Sequence, residues 1–449
     1  IAAQEQADAA RSFAVHLNGP AHLTPALLPD AALHKRGRIL WGIGAGKHVP
    51  QVGGDLCIVR VPGDGGSICL PPGPQGKVRH DSLLSEQFEH IIECHHQHEA
   101  HQGHKAHGVH RHLILLRDLL SEQLHGDLIN EEEEDLPDGK VRNELTGELI
   151  DESLANQRPI AVMVDNESIA LPHYGLTQAD VVYEMMNSTE NGRITRFMAL
   201  VKDWETLEQF GSIRSARVTN CILAAEWNAV LCHDGGPFYI DEYIALPSVD
   251  DFNGGFSRVN NGKSREYTEY IVSGDLDKKF ASTGASKEYN KYYTENHFKF
   301  AKEDTDIADG TSAVTVDIPF PHNGSYLTYD ESEKVYKYFE YKKEHVDPQN
   351  GNAQLSFKNV ILQCTPFELH SWGDGVYDPN GYMYYKIENN KGTGYYITNG
   401  KAEEITWSKG GLTDNTKYYD ASGNEIKINI GKTYIALVPD DAWGDLVVE

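Results

Sequence analysis

The chain has no hydrophobic run long enough to span a bilayer. The nearest candidate, LILLRDLL, is short and carries charge. Cysteine is scarce. The six residues Cys57, Cys69, Cys94, Cys221, Cys232 and Cys364 lie far apart with no C-x-x-C, which excludes a dense disulfide scaffold and leaves no zinc or redox motif of that kind. There is no G-x-S-x-G and no H-E-x-x-H, so no nucleophile or metalloprotease signature is present. GIGAGKH departs from a phosphate loop, which needs glycine at Trp41 and Ser or Thr at His48. Basic residues are outnumbered, 40 Lys+Arg against 67 Asp+Glu, for a formal charge of −27. Such a surface repels both nucleic acid and anionic lipid headgroups. Nucleic acid is therefore not an expected partner. The chain opens at Ile1 with no signal peptide, which implies a start that is cleaved, truncated or misread.

What is present is unevenly distributed. All 23 tyrosines follow residue 170, whereas 15 of the 21 histidines fall within the first 125 residues. Residues 1–128 carry a net charge of −2 and the remainder −25. We therefore place a boundary near residue 128 and expect residues 1–128 to be largely unstructured. Their Gly/Pro-rich stretches hold neither helical nor strand periodicity. The tract CHHQHEAHQGHKAHGVHRH (94–112) offers His95, His96, His98 and His101 as weak metal-ligand candidates. Its spacing is a smear rather than a set of four, so no metal or other cofactor is assigned. The competing readings are a flexible polar segment or a stretch that is not natural coding sequence. Residues 129–157, acidic and poor in apolar side chains, read as a solvated linker.

From residue 158 the pattern is globular, and two domains are expected, 158–305 and 306–449. In the first, PIAVMVDN, DVVYEMM and RITRFMALVKD read as strands, the first apolar on both faces. SARVTNCILAAEWNAV (215–230) reads as an amphipathic helix, with Ser212 or Ser215 as its cap. AVLCHDGG then reads as a strand ending in a glycine turn. The expected class is α+β, an α/β-type layered domain followed by a mainly antiparallel β domain. The second domain is a succession of Tyr-, Val- and Ile-rich strands separated by turns such as NG and DASGN.

Four arginines stand out in so acidic a chain: Arg193 and Arg196 in GRITRF, Arg214 and Arg217 in FGSIRSAR. Arg214 and Arg217, three apart, are expected on one face of the helix's first turn, opposing its dipole at a cost of roughly 0.3–1 kcal/mol each. An anion at the helix N-terminus offsets that cost, and guanidinium forks suit phosphate and carboxylate alike. Strand ends place Asp165, Asn166 and Ser212 on the same rim, with His233 and Asp234 nearby. His233, with Asp234 or Asp165, is the weak candidate for acid–base chemistry. The competing reading pairs Arg214 with Glu184 or Asp203 in a structural network. Arg193 and Arg196 are expected on opposite faces of a strand.

RPIAVMVDN, GLTQADVVYE, GRITRFMAL, FGSIRSAR and HDGG, followed by LTYDESEKVYKYF, HVDPQNG, FKNVILQ, GYYITNGKAEEITWSK and YYDASGNEIKINIGKTYIALVP, resemble the YerB-like lipoprotein family of Gram-positive bacteria. The resemblance covers roughly residues 158–440 and implies paired N- and C-terminal domains of unassigned function. It implies an extracytoplasmic protein of the cell envelope, tethered by a lipidated cysteine behind a short signal. No such signal precedes the acidic linker in this sequence. The membrane is then a partner only through a lipid anchor that this chain does not carry. The expected function is non-catalytic binding of an anionic envelope ligand or a protein partner. The alternative is an envelope transferase or hydrolase acting on phosphate-linked glycan or lipid.

Overall fold

The computed structural model describes residues 136–449 and, ahead of them, the strands Leu40–Ile43, Cys57–Arg60 and Gly66–Leu70. The chain divides into two compact units, Ile1–Glu132 and Glu133–Glu449. In the first unit the three strands form an antiparallel sheet with Gly66–Leu70 in the middle. The other expectations for residues 1–128, His95, His96, His98 and His101 among them, lie outside the described residues.

The second unit is built on one eleven-stranded mixed sheet. Its strands are β1 (Ile160–Asp165), β2 (Val181–Met186), β3 (Thr195–Val201), β4 (Val230–His233), β5 (Asp250–Asn253), β6 (Thr311–Ser312), β7 (Asn359–Thr365), β8 (Asn390–Thr398), β9 (Lys401–Lys409), β10 (Lys417–Tyr419) and β11 (Thr433–Pro439). The spatial order is β5-β4-β1-β3-β2-β11-β7-β8-β9-β6, with β10 also on β9. The two halves of the sequence therefore share a single sheet. The seam is β2 against β11, parallel, with Val181 opposite Thr433 and Met185 opposite Leu437.

The central strands are apolar on both faces because both faces are covered. Every residue of β1, β2, β3 and β11 is buried. Alternation sends Val162, Val164, Phe197, Val182, Leu362 and Ala436 into one core, and Met163, Met198, Tyr183, Ile361 and Ile435 into the other. The first core is closed by Phe280, by Phe210 and Ile271 of a small sheet, and by Leu327, Tyr336, Tyr338 and Phe357 of a six-stranded sheet. The second is closed by helix α1 (Val218–Glu226) and by Met383, Tyr385 and Ile387.

The expected strands of the first half are present, but its helical layer is thin. Two helices of nine residues, α1 and α2 (Asp275–Thr283), supply most of it. The chain is mostly β, and sheet packs on sheet over much of the first core. Helix α1 is shorter than the periodicity of 215–230 suggests and is buried all round. An apolar stripe extended by Ala and Thr can face packing on every side, which the hydrophobic pattern alone does not separate from amphipathicity. In the second half the expected antiparallel pairing holds for β7–β8 and β8–β9, but β7 and β11 run parallel. No helix among the described residues is long and apolar enough to cross a membrane.

A buried ion cluster locks α1 to the second half. Glu226, the last residue of α1, meets Lys409 Nζ at 2.8 Å, with both side chains fully buried. His297 Nε2 lies 3.0 Å from the same carboxylate, and the Thr416 hydroxyl donates to it at 2.9 Å. The Trp227 ring stacks on His297 at 3.8 Å. Burial disfavours the charged carboxylate, but Lys409 and His297 outweigh it and hold Glu226 down to about 2. Burial also lowers His297, so the positive partner at neutral pH is Lys409.

Replacing Glu226 by Gln leaves Lys409 buried and unpaired, and should cost about 3–5 kcal/mol in chemical denaturation at pH 7. A carboxylate depressed in the folded state stabilises above its unfolded pKa and loses that contribution as pH falls through the folded value. The gap between wild type and Glu226→Gln should therefore narrow below about pH 4.5. A gap that stays constant down to the acid transition would show that the carboxylate charge is not the source.

Candidate functional site

Asp165 ends β1 and lies opposite Arg196 of β3. After β3 the chain returns through a short strand, Gln209–Gly211, and the Gly211–Ser212 peptide is cis. Ile213 then bridges to Val164, and the Arg214 N–H donates to the Met163 carbonyl at 3.0 Å. This lays FGSIRSAR alongside the end of β1 and brings Arg214 over Asp165. Arg214 Nε contacts Asp165 Oδ2, and Nη2 reaches Glu266 at 3.3 Å. The guanidinium also sits 5.3 Å from the centre of the Tyr267 ring.

Arg214 is thus not in the first turn of the helix. Helix α1 starts at Val218 with Arg217 as its N-cap, in place of Ser212 or Ser215. The Asn220 side-chain oxygen accepts the Arg217 N–H at 2.7 Å, an asparagine reaching back where a serine was expected to reach forward. The partners of Arg214 are Asp165 and Glu266, rather than Glu184 or Asp203.

Three arginines converge and one does not. Arg196 is almost fully buried, with Nη1 donating to the Ser215 carbonyl at 2.7 Å and to Asn187 Oδ1 at 3.3 Å. Arg217, equally buried, donates from Nη1 to the Ala216 carbonyl at 2.8 Å and lies 4.1 Å from the centre of the Tyr382 ring. The Nε atoms of Arg196 and Arg217 are buried without a hydrogen-bond partner. Arg193 leaves the group. It precedes β3 with φ +63°, and its fork grips Asp441 at 2.8 and 2.6 Å.

The electrostatics follow from this crowding. Burial, with Arg196 and Arg214 close by, pushes the Arg217 guanidinium down to about 9. A guanidinium stays protonated at neutral pH, so the result is uncompensated positive potential rather than a lost proton. Burial lowers Arg196 as well, with Asp165 acting against the shift. Asp165 is raised by burial, and Arg196 and Arg214 draw it part of the way back. One wholly buried carboxylate therefore faces three guanidiniums.

The remaining candidates are placed as follows. Asn166 turns into the core, donating to Glu184 Oε1 at 3.1 Å and Thr195 Oγ1 at 2.9 Å. Ser212 is buried with its hydroxyl unpartnered. His233 is fully buried, with Nδ1 2.7 Å from the Gly235 carbonyl and Nε2 3.1 Å from Asp251 Oδ2, so both nitrogens are engaged. Asp234 pairs with Arg258 at 3.0 Å. Burial pushes the Cys221 thiol up to about 12 and raises Cys232 further, which removes both as nucleophiles.

Residues from the second half complete the rim. Tyr382 covers Arg217, and Asp378 and His370 lie within its electrostatic reach. Tyr239 stacks on His370 at 3.9 Å and donates to Asp378 at 3.0 Å. Trp372, Val376 and Tyr377 of the same second-half segment are exposed, as is Phe238 beside Tyr239 in the first half. Sequence reasoning missed this contribution because it comes from far along the chain; the aromatic-rich SWGDGVYDPNGYMYY was its one signal. Two open surface depressions, of about 630 and 410 Å³, lie elsewhere, over Thr328–Ser332 and around Lys358 and Lys432. In the second, Asp304 already neutralises Lys334 and Lys358.

The DUF3048 N-terminal domain, described as a protein domain of unknown function, matches residues 145–293, and its C-terminal partner domain matches residues 316–435. The chain belongs to the DUF3048 family. Within that family it is similar to "Putative lipoprotein YerB" of Bacillus subtilis (strain 168), 26% identical over an alignment of 313 residues that covers 67% of this chain and 87% of that protein. The crystal structure of the YerB protein from Bacillus subtilis superposes with a TM-score of 0.58 at 21% identity, covering 69% of this chain and all of the other. That likeness establishes the fold. Neither domain description nor either relative's name assigns a reaction.

Removing Arg214 should expose the cost of burying Asp165. An acid raised in the folded state contributes stability that is complete below its unfolded pKa and is lost as pH rises through the folded value. Arg214→Ala raises Asp165 further, so its stability deficit should grow from pH 4 to pH 8, reaching about 2 kcal/mol. Urea titrations across that range test this, and a deficit that shrinks with rising pH would contradict it.

Proposed function

We propose that this member of the DUF3048 family is a non-catalytic, extracytoplasmic envelope protein that binds an anionic ligand at Arg196, Arg214 and Arg217. The observation that carries the reading is the pair of nearly buried guanidiniums, Arg196 and Arg217, each with an unpartnered Nε and with Asp165 as the one fully buried carboxylate among them. Planar forks of this kind favour phosphate or carboxylate groups over a monovalent halide. The exposed aromatic residues Phe238, Trp372 and Tyr377, in the segments that carry Tyr239 and Tyr382, favour a ligand whose anionic head carries an apolar or glycan portion. The lipoprotein description of the Bacillus subtilis relative supports a membrane-anchored envelope location of Gram-positive type. A protein partner presenting an acidic side chain would use the same forks. An envelope transferase or hydrolase acting on phosphate-linked glycan or lipid would need a free acid–base group, and His233 has neither nitrogen available.

Thermal denaturation with inorganic pyrophosphate, tripolyphosphate and undecaprenyl phosphate tests the proposal. A ligand at 100-fold over its Kd should add about 2.7 kcal/mol. Arg217→Ala and Arg196→Lys should abolish the shift, whereas Arg193→Ala, outside the cluster, should keep it. No shift with any of the three anions, or an equal loss in Arg193→Ala, would sink the assignment.

A further inference from the structure

A second group of buried polar side chains, which the anion site does not use, forms where the loop after β1 meets the second half. His173, Glu340 and His345 are all buried, and one ligand atom from each lies within 4.8 Å of the others. His173 comes from the loop between β1 and β2. Glu340 and His345 come from the second half, at the end of the strand Val335–Glu340 and just beyond it. The His173 and His345 rings are 5.0 Å apart, packed against Phe197.

The hydrogen bonding of this group is incomplete. Both ring nitrogens of His173 and Nε2 of His345 are buried without a hydrogen-bond partner. His173 is fully buried, and with neither ring nitrogen hydrogen-bonded it has a lone pair to offer an ion. His345 Nδ1 lies 2.7 Å from Glu340 Oε1. The other Glu340 oxygen accepts from Asn323 at 3.3 Å. Asn323 also donates to Glu184 at 2.7 Å, and Glu184 takes further hydrogen bonds from Tyr338 and Tyr434. Among the described residues neither Glu184 nor Glu340, both almost fully buried, is paired with a lysine or arginine. Two buried imidazoles with unpartnered nitrogens beside a buried carboxylate present the donor chemistry of a divalent-ion site.

We propose that His173, His345 and Glu340 bind one divalent transition-metal ion of the zinc class, clamping the first half of the fold to the second. Two imidazoles and a carboxylate suit zinc, whereas calcium and magnesium favour all-oxygen sets. Tetrahedral zinc with bonds of about 2.0–2.1 Å holds its ligand atoms about 3.3 Å apart, so closure from the present spacing takes small side-chain rotations. Asn323, donating to Glu340 at 3.3 Å, orients that ligand carboxylate in the manner of an outer-shell partner. The loop that presents His173 is held on both sides. Tyr174 and Gly211 exchange backbone hydrogen bonds at 3.1 Å, and Asp347 accepts the Gly175 N–H at 3.0 Å. Gly175 has φ +77°, and a Cβ there would lie 2.4 Å from the Gln209 carbonyl oxygen, so the turn after His173 admits glycine alone. Burial makes the role structural, with metal taken up as the halves close.

The test uses the full chain without a tag, stripped with chelator and titrated with Zn²⁺, and reads melting temperature and bound metal. Histidine-rich tracts are able to bind zinc by composition, so a background variant with all eight histidines of residues 94–112 (His95, His96, His98, His101, His104, His107, His110 and His112) changed to Ala is run beside the wild type. Both should bind zinc and gain about 5 °C at 100-fold over the Kd. His173→Ala and His345→Ala in the background variant should bind one ion fewer and gain nothing. Should either fail to fold, Co²⁺ added to the background variant decides, because a tetrahedral nitrogen–oxygen site gives visible d–d absorption. No metal-dependent rise in the background variant, a rise that survives both histidine changes, or Co²⁺ without those bands would overturn the proposal. Since Arg196 and Arg217 are intact throughout, its failure would leave the anion-binding result untouched.

Discussion

The parallel pairing of β2 with β11 is the constraint on which the rest of the molecule depends. It joins a strand early in the described chain to one near its end, and it converts two sequence-level domains into one sheet. Neither strand can be solvated on a face, since all residues of both are buried. Polar groups trapped there must therefore find partners from the opposite half. Glu184 on β2 does so through Tyr434 of β11, Tyr338 and Asn323. Glu226, Lys409 and Thr416 repeat the arrangement on the other side of the sheet. Such groups add less stability than their number suggests, because desolvation offsets much of the Coulomb gain. What they specify is the register in which the two halves meet.

The arginine cluster follows from that geometry. Asp165 ends a buried strand, and the segment before α1 is drawn alongside it by the Val164–Ile213 bridge. Arg214, Arg196 and Arg217 then approach from three directions, and Tyr382 arrives from the second half. A chain of net charge −27 keeps this positive concentration by burying it. The surrounding acidity repels bulk polyanions at long range.

Strands with continuous apolar runs were legible in the sequence: β1, β2, β3 and β4 fall where IAVMVD, VVYEMM, TRFMALV and VLCH predict them. The seam was not, because periodicity identifies strands and is silent on which of them pair across a long stretch of chain. Helix α1 was recognised, but its start was misjudged. Serines at 212 and 215 look like caps, whereas backbone bonds from Ile213 and Arg214 to neighbouring strands hold that segment extended. The charge and spacing of the arginines announced a cluster. Arg193 separates from it through a positive φ and a distant aspartate, neither of which is written locally. His173, Glu340 and His345 share no motif, since the loop and the hairpin that carry them meet by topology alone.

The place of β11 in the sheet also bears on how the protein comes into being. Synthesis runs at about 5–20 residues per second, and about 250 residues separate β2 from β11. For on the order of ten seconds or more the nascent first half holds β1 and β3 but presents β2 as an open apolar edge. It cannot close that edge by itself, because the strand that covers it has not yet been made. The first half therefore keeps that edge unpaired until residues 433–439 exist to lie between β2 and β7.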